Sequence, residues 1–315
     1  MYIRTSKEAT MSRRTRANMM LFLTAAIWGF GFVAQRFGAM HVPAFTFNGF
    51  RFIIGAISLI PLLIYNKNRS KANANDMNMH QNTKKEVLIL GGILAGLSIF
   101  LASWLQQVGM ETTEPGKAAF LTACYVILVP ILGIVIRNKI KLMNWVAIVL
   151  ALLGLYLLCI KGGWQIAKGD FFELAGAVFW ATQILIVDKF VDKVDSIELS
   201  FVQFLVCAIL CFAFALGVEQ TDLAAISKAI IPILYGGIGS VGIAYTLQTV
   251  AQRDALPSHA ALILSSETLF GTLGGLIFFK ENLGGRGYLG CILIIIGILI
   301  SISSNNNKEK NELKN

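Results

Sequence analysis

Ten long apolar segments, separated by short polar ones, account for most of this sequence. An α-helix rises 1.5 Å per residue, so about 20 apolar residues are needed to cross the roughly 30 Å hydrocarbon core of a bilayer. Each segment is close to that length, and we therefore predict an all-α polytopic membrane protein with ten transmembrane helices. The predicted spans lie at approximately 19–38, 44–65, 87–107, 117–136, 142–160, 171–188, 197–217, 229–250, 258–279 and 286–303.

Three segments lack this apolar pattern. Residues 1–18 form a basic tail, residues 304–315 form a polar tail, and residues 66–86 are rich in Asn and Lys without apolar periodicity. Segments of this composition bury too little apolar surface to offset the entropy of ordering them. We predict two solvated cytoplasmic tails and a flexible loop after the second span.

The composition supports the bilayer as the solvent of this protein. Hydrophobic residues make up 56% of the chain and charged residues 14%, against roughly 25% charged residues in ordinary soluble domains. All five cysteines fall inside predicted spans, and the three histidines are far apart in sequence. We therefore expect no disulfide framework, no metal site and no cofactor. The short loops offer few acid or base groups, so we also expect no catalytic residues.

The positive charges predict how the chain is oriented. If both termini are cytoplasmic, the cytoplasmic segments carry 19 of the 27 Lys and Arg residues, as the positive-inside rule requires. This placement at span ends also accounts for the net charge of +9 without a nucleic-acid partner, because the basic residues meet anionic lipid there. We predict a multi-pass protein of the cytoplasmic (inner) membrane with both termini inside.

An internal repeat organises the chain. The segment that begins at Gln106 aligns, at an offset of 142 residues, with the segment that begins at Gln248. The same offset matches Pro115 to Pro257, near the start of the fourth and ninth predicted spans. The chain is therefore predicted to consist of two halves of similar design.

The repeat divides the chain into five predicted spans at 19–160 and five at 171–303. Because five is odd, the second half enters the membrane from the opposite side to the first. Inverted five-helix repeats of this kind are typical of secondary transporters, whose substrate site lies near the midplane between the halves. The pattern thus predicts two inverted five-helix repeats around a central cavity.

Several segments together resemble a known family. They are the Trp-Gly stretch LTAAIWGFGFVAQRFG, the second span FNGFRFIIGAISLIPLL, and the Pro-initiated blocks PGKAAFLTACYVILVPILGIVI and PSHAALILSSETLFGTLGGLIFFKEN. In this order the chain resembles the EamA-type branch of the drug/metabolite transporter superfamily over residues 17 to 303. Family members usually end both Pro-initiated spans with glutamate, whereas here Glu281 is matched by Lys139 in the first repeat. The resemblance implies carrier-mediated transport of small metabolites, often amino acids and often outward, through a central cavity.

Pairs of an aromatic residue and a glutamine mark a candidate wall for that cavity. An aromatic residue three positions before a glutamine lies on the same helix face, so a solute can stack on the ring and bond to the amide. Gln106 competes with Gln107 for one of these positions, and ordinary packing between helices would explain the pairs equally. The pairs are Phe32 with Gln35, Trp104 with Gln107, Trp180 with Gln183, and Tyr245 with Gln248. We add two further residues to this candidate cavity wall. They are Trp28, from the Trp-Gly motif, and Tyr125, which the repeat offset matches to Glu267 in the ninth span.

Two charges lie well inside predicted spans, Arg51 in the second and Glu267 in the ninth. Burying a charge in a membrane is costly, so such residues have a partner or a function. Four interpretations remain open from the sequence. They are a structural ion pair between the two residues, contact of both with the charged ends of a zwitterionic substrate, proton binding by Glu267 in a proton-coupled cycle, and extension of both side chains toward the lipid headgroups.

The sequence offers no nucleotide-binding loop. In the nearest match, ETTEPGKAA, Glu111 replaces the first glycine and Ala118 replaces the hydroxyl residue of the phosphate-binding loop. We therefore predict a secondary transporter that moves small metabolites such as amino acids by alternating access, as an exporter or exchanger, with the proton as the possible coupling ion. The alternatives are a lipid flippase and a membrane-embedded lipid-modifying enzyme. Besides its solute the protein contacts membrane lipid, and it is either a monomer or a homodimer.

Overall fold

A computed structural model describes residues 13–72, 85–135, 142–159, 167–280 and 284–312. Parts of the predicted tails and of the predicted loop lie outside these residues. Lys139 and Glu281 also lie outside them. Within the described part, helix extends farther than predicted. The first, second and last helices include residues 13–18, 66–72 and 304–312, which we had assigned to the tails and the loop. Adding a residue to an existing helix costs little free energy, so a helix can continue past the membrane boundary.

Ten helical spans make up the described structure. Nine are long and apolar enough to cross a membrane, and the apolar stretch of the remaining one, Leu142–Leu158, is shorter. The short helix Leu223–Lys228 lies between α7 and α8. The spans are α1 Arg13–Ala39, α2 Ala44–Ala72, α3 Lys85–Gly109, α4 Pro115–Ala123 with Tyr125–Val135, α5 Leu142–Cys159, α6 Lys168–Val191, α7 Ser196–Val218, α8 Ile230–Leu234 with Tyr235–Tyr245 and Thr246–Ala251, α9 Pro257–Leu264 with Glu267–Phe279, and α10 Gly284–Glu312.

The repeat mates α4 and α9 are broken at corresponding positions. Each begins with a proline in its first turn, where a missing N–H costs nothing. The break falls at Cys124 in α4 and at Ser265 and Ser266 in α9. Both serine hydroxyls donate to the carbonyl three residues earlier, at 2.7 and 2.6 Å, a contact that bends helices. As a result, the second segments of α4 and α9 begin at Tyr125 and Glu267.

Span α8 contains an 11-residue π-helix, Tyr235–Tyr245, whose sequence is YGGIGSVGIAY. Its glycines permit close approach to α2: a Cβ atom at Gly236 would lie 3.3 Å from Cδ of Arg51, and one at Gly237 would lie 3.1 Å from the Arg51 carbonyl oxygen. A π-helix of this length is rare, and π turns occur mostly at functional sites. The repeat mate of α8, α3, is a regular α-helix, so this segment is specific to the second repeat.

The two repeats interlock around an approximate two-fold relation. Helix α2 packs on its mate α7, and α5 packs on its mate α10. The contact of α3 with α6 is matched by that of α8 with α1, and the contact of α1 with α9 by that of α6 with α4. Many Leu, Ile and Phe side chains remain exposed on the outer surface, as expected when the solvent is lipid. The architecture is that of two five-helix repeats, as predicted.

The contact between α5 and α10 gives a test of this packing. A Cβ atom at Gly154 would lie 2.6 Å from the carbonyl oxygen of Gly290, whereas one at Gly285 would meet nothing within 4 Å. We expect Gly154→Ala to force the two helices apart and to lower the free energy of unfolding by about 1–3 kcal/mol. Thermal unfolding of purified protein in detergent measures this change. Gly285→Ala is the control and should unfold at the wild-type temperature or above it.

Candidate functional site

One cavity lies between the two repeats and is lined by residues from both. Helices α1, α2, α3 and α4 contribute from the first repeat, and α6, α8 and α9 contribute from the second. The volume open to the centres of water-sized molecules is about 30 Å³, which is space for about two waters. The lining residues are Trp28, Phe32, Gln35, Arg51, Gln106, Thr122, Tyr125, Trp180, Gln183, Ile184, Ser240, Tyr245, Gln248 and Glu267.

Ten of the twelve residues selected from the sequence line this cavity, and two lie elsewhere. Trp104 stacks on Phe45, with ring centroids 5.4 Å apart and planes 7° from parallel. Gln107 donates from its amide to the carbonyl of Gln35 at 3.1 Å. The position on α3 that faces the cavity belongs to Gln106, one residue earlier, which was the competing assignment from the repeat alignment.

Four lining residues were not selected from the sequence: Gln106, Thr122, Ile184 and Ser240. Gln106 carried a signal, because the repeat offset matches it to Gln248, which also lines the cavity. Ser240 carried none, because it lies in the π-helix, where the spacing of residues on one face differs from that of an α-helix. Its carbonyl accepts a hydrogen bond from Nε1 of Trp28 at 3.2 Å, which joins α1 to α8.

Tyr245 is the centre of an aromatic cluster on one side of the cavity. Its ring centroid lies 4.5 Å from that of Trp28 and 5.9 Å from that of Trp180. Phe52 and Phe204 pack against it from behind, at 6.2 and 5.9 Å. Aromatic pairs in this distance range contribute about 0.5–1.5 kcal/mol beyond their buried area, so the cluster is a stiff apolar wall. The indole N–H of Trp180 has no hydrogen-bond partner there.

Three buried glutamines form a chain of hydrogen bonds beside this wall. Gln248 donates to Oε1 of Gln183 at 3.1 Å, and Gln183 donates to Oε1 of Gln203 at 3.4 Å. The chain connects α8, α6 and α7. Oε1 of Gln248 and Nε2 of Gln203 have no partner, so the chain retains an acceptor at one end and a donor at the other. Gln183 and Gln248 can therefore orient a polar group in the cavity.

Arg51 is a buried cation without a carboxylate partner among the described residues. Its side chain is 2% exposed, and its guanidinium carbon lies 5.0 Å from the ring centre of Phe52 and 5.8 Å from that of Phe47. Such cation–π contacts offset part of the cost of burying the charge. Nε has no hydrogen-bond partner. The guanidinium is therefore held by aromatic faces on α2 and is available to an anion in the cavity.

Glu267 lies at the break of α9, where its carboxyl group faces the Tyr125 hydroxyl. Glu267 is 2% exposed and Tyr125 is 3% exposed. Oε1 of Glu267 and the hydroxyl of Tyr125 both lack a hydrogen bond of normal geometry. Because the two residues are repeat mates, their meeting places them near the approximate two-fold axis. The wall there is asymmetric, with a carboxyl on one side and a phenol on the other.

Arg51 and Glu267 line the same cavity without forming an ion pair. Among the described residues, the ion pairs are Arg16 with Asp254 at 4.0 Å and Lys117 with Asp170, both away from the cavity. Tyr245 lies within electrostatic range of both buried charges. The structural ion pair that the sequence left open is not formed in this structure.

A buried carboxyl group near the end of a helix was missed by reasoning from the sequence. Glu173 of α6 is 0% exposed, and its Oε2 accepts a hydrogen bond from the Thr122 hydroxyl at 3.0 Å. It lies only five residues from the start of α6, so from the sequence it belongs to a helix end where carboxylates are usually solvated. Helices α3 and α4 cover it, which only the tertiary structure reveals.

These features define a helical membrane protein with a cavity between two repeats, lined by aromatic rings and a few polar groups, which is the architecture of a transporter. The family model described as EamA-like transporter family matches residues 15–160 and 167–303. The chain therefore belongs to the EamA-like transporter family. It is a multi-pass membrane transporter that acts on a small-molecule substrate.

Relatives and a solved structure agree with this assignment. An uncharacterized transporter of Archaeoglobus fulgidus is 27% identical over 289 residues, covering 91% of this chain and 86% of that protein. The uncharacterized transporter YoaV of Bacillus subtilis is 21% identical over 281 residues, covering 87% and 92%. A crystal structure at 17% identity superposes with a TM-score of 0.72 over 93% of this chain and 98% of that chain. The last comparison supports the fold alone.

The glutamine chain gives a test of the site's internal order. Replacing Gln183 with leucine leaves the amide of Gln248 and the acceptor of Gln203 buried without their partner. We expect Gln183→Leu to lower the free energy of unfolding by about 1–3 kcal/mol, the usual cost of an unsatisfied buried polar group. Thermal unfolding in detergent measures it. Thr182→Val is the control, because the Thr182 hydroxyl bonds only to the Val178 carbonyl of its own helix.

Proposed function

We propose that this protein is a secondary transporter of small zwitterionic solutes, the class that includes amino acids, and that the central cavity is their binding site. The observation that carries the proposal is the placement of two opposite charges, Arg51 and Glu267, on the wall of one cavity, neither of which forms an ion pair with another described residue. A solute with a carboxylate and an ammonium group would neutralise both.

The energetics of burial favour this assignment. An isolated buried charge is costly, and a bound counter-charge with good hydrogen bonds offsets that cost. The planar guanidinium of Arg51 suits a carboxylate, which it can bind through two parallel hydrogen bonds. The free Oε1 of Glu267 and the neighbouring Tyr125 hydroxyl suit an ammonium donor. The Arg51 guanidinium, Oε1 of Glu267 and the Tyr125 hydroxyl would then gain hydrogen-bond partners when the solute binds.

The rest of the wall supports an organic body between those charges. The rings of Trp28, Trp180 and Tyr245 form a continuous apolar face, against which an aliphatic or aromatic side chain can pack. Gln183 and Gln248 provide amide groups beside that face. A cavity with mostly apolar walls and a few placed polar groups is the usual form of a small-molecule site.

The transport cycle that fits this fold is alternating access. In the present conformation the volume open to the centres of water-sized molecules is about 30 Å³, which is small for an amino acid, so we infer that the repeats move apart when the solute binds. Because contacts of one repeat recur in the other, an exchange of conformation between the repeats would give two similar arrangements, one open to each side. We place the protein in the cytoplasmic membrane with both termini inside, as an exporter or exchanger.

The charge assignment predicts which analogues each variant tolerates. We expect Arg51→Gln to weaken binding of zwitterionic amino acids at least tenfold, and to leave binding of the matching decarboxylated amines unchanged, since these lack the group that Arg51 contacts. Glu267→Gln should show the reverse pattern, with N-acetylated amino acids unaffected. Thermal shift against a panel of amino acids, amines and N-acetyl derivatives identifies ligands, and counterflow in liposomes measures transport.

Arg286→Gln is the matched control for charge removal, because Arg286 is exposed and lies away from the cavity, with its guanidinium carbon 5.9 Å from the centre of the Tyr156 ring. The proposal fails if both charge variants bind zwitterions as the wild type does. Movement or modification of lipid without flux of any soluble solute would favour a lipid flippase or a lipid-modifying enzyme instead.

The aromatic wall gives an independent prediction. Trp180→Ala removes one face of the cavity, and we expect it to weaken solute binding by about tenfold, since a buried stacking contact of this kind contributes about 1 kcal/mol or more. Trp104→Ala is the control, because it removes a tryptophan on α3 that stacks on Phe45 outside the cavity, and its solute affinity should be that of the wild type. If Trp180→Ala and Trp104→Ala lost affinity for the solute equally, the loss could not be assigned to direct contact between the solute and Trp180.

A further inference from the structure

Glu173 is a fully buried carboxyl group that the binding site does not use. It lies outside the cavity lining, and its Oε1 has no hydrogen-bond partner. Its side chain packs against the backbone of Gly109 at the end of α3, where a Cβ atom would lie 2.7 Å from Oε1. A buried carboxylate without a cation is costly, so this position needs a proton, a cation or a function that offsets the cost.

Two side chains connect Glu173 to the cavity. The Thr122 hydroxyl donates to Oε2 of Glu173 at 3.0 Å, and Nε2 of Gln106 donates to that hydroxyl at 3.3 Å. Thr122 and Gln106 both line the cavity, on α4 and α3. The protonation state of Glu173 therefore bears directly on the hydrogen bonds of two wall residues. Because Glu173 belongs to the second repeat, the same bonds also join the two repeats.

On its other side Glu173 is close to a polar cluster at the end of the helices. Asp170, one turn earlier on α6, accepts hydrogen bonds from the Thr113 hydroxyl at 3.0 Å and from the Ala167 N–H at 2.9 Å, and it pairs with Lys117. The Lys117 side chain is 25% exposed, so this cluster reaches solvent. Polar side chains thus lie on both sides of Glu173, with Asp170 toward the surface and Thr122 toward the cavity.

The charged groups around Glu173 are few. Asp170 on its own helix and Glu267 on α9 lie within electrostatic range. Lys117 on α4 is engaged by Asp170, and Arg36 on α1 donates to the Met110 carbonyl next to Gly109. Within the described residues no cation forms an ion pair with Glu173. A proton is the smallest cation that can neutralise a carboxyl group packed this closely against backbone.

We propose that Glu173 is the proton-binding site that couples solute movement to the proton gradient, with Thr122 and Gln106 transmitting its state to the cavity wall. In this step a hydronium ion that enters past Asp170 gives up its proton and becomes water, and an O–H bond forms at Oε1. Oε2 keeps the hydrogen bond from Thr122. Loss of the proton leaves a carboxylate that holds Thr122 more strongly and favours the closed contact between the repeats.

The coupling role rests on the proposed transport function, whereas proton binding does not. Infrared difference spectroscopy of the full chain in lipid, between about pH 5 and about pH 8, reports the C=O stretch of protonated carboxyl groups without any solute. We expect a pH-dependent band in the wild type that is absent in Glu173→Gln. The band should be retained in Asp192→Asn, which removes an exposed carboxylate at the other end of the same helix.

Two results in the infrared experiment would overturn the proposal. One is an unchanged difference spectrum in Glu173→Gln. The other is loss of the band in Glu267→Gln but not in Glu173→Gln, which would assign the proton to the cavity carboxyl. If Glu173→Gln does not fold, Thr122→Val is informative, because it removes the hydroxyl that bonds to Oε2. It should shift the frequency of the band, and an unshifted band would contradict the assignment.

Coupling is then tested by counterflow of mixed amino acids in liposomes. An imposed pH gradient should accelerate counterflow by the wild type. Glu173→Gln should still exchange amino acids, but the pH gradient should no longer change its rate. Persistent acceleration in Glu173→Gln overturns the coupling role. If no amino acid is transported by any variant while the infrared band behaves as expected, the substrate proposal fails and the proton site stands.

Discussion

The cavity depends on polar contacts that cross from one repeat to the other. The Trp28 indole, the Thr24 hydroxyl and the Tyr235 hydroxyl each bond to a backbone carbonyl between α1 and α8. The Thr268 hydroxyl does the same between α9 and α4, with the Ala119 carbonyl at 3.2 Å. In a bilayer the hydrophobic effect does not drive helices together, so close packing and hydrogen bonds of this kind hold the halves in place. Neither repeat could form the cavity by itself.

Small residues let the helices around the cavity pack closely. A Cβ atom at Gly29 would lie 2.5 Å from the Glu267 carbonyl oxygen, and one at Gly271 would lie 3.1 Å from the Ala119 Cβ atom. These small residues let α1, α4 and α9 approach closely around the break in α9. Helix faces of small residues carry no large side chains that interdigitate. Gly271 of the ninth span thus serves close packing beside the cavity.

Three buried charged residues form no ion pair among the described residues, and they divide into two groups by their surroundings. Arg51 and Glu267 line the cavity and retain unpaired atoms there, which favours contact with a solute. Glu173 lies behind the wall, bonded through Thr122, which favours an ion that need not enter the cavity. This separation would let the protein bind a zwitterion and a proton at the same time without the two competing for one carboxyl group. Transport could then be linked through the shared wall residues Thr122 and Gln106.

The sequence by itself determined the class, the number of spans, the repeat and most of the polar residues between the helices. These follow from local features of the sequence: the length of each apolar segment, the positions of the prolines, and the polar residues inside spans, which are costly in lipid. Tertiary structure decided which of two adjacent glutamines, Gln106 or Gln107, faces the cavity, and that Arg51 and Glu267 stay apart. It also brought Ser240 to the wall through the π-helix and covered Glu173 with α3 and α4. Helix rotation and the covering of a helix end depend on neighbours distant in sequence, and no local pattern encodes them.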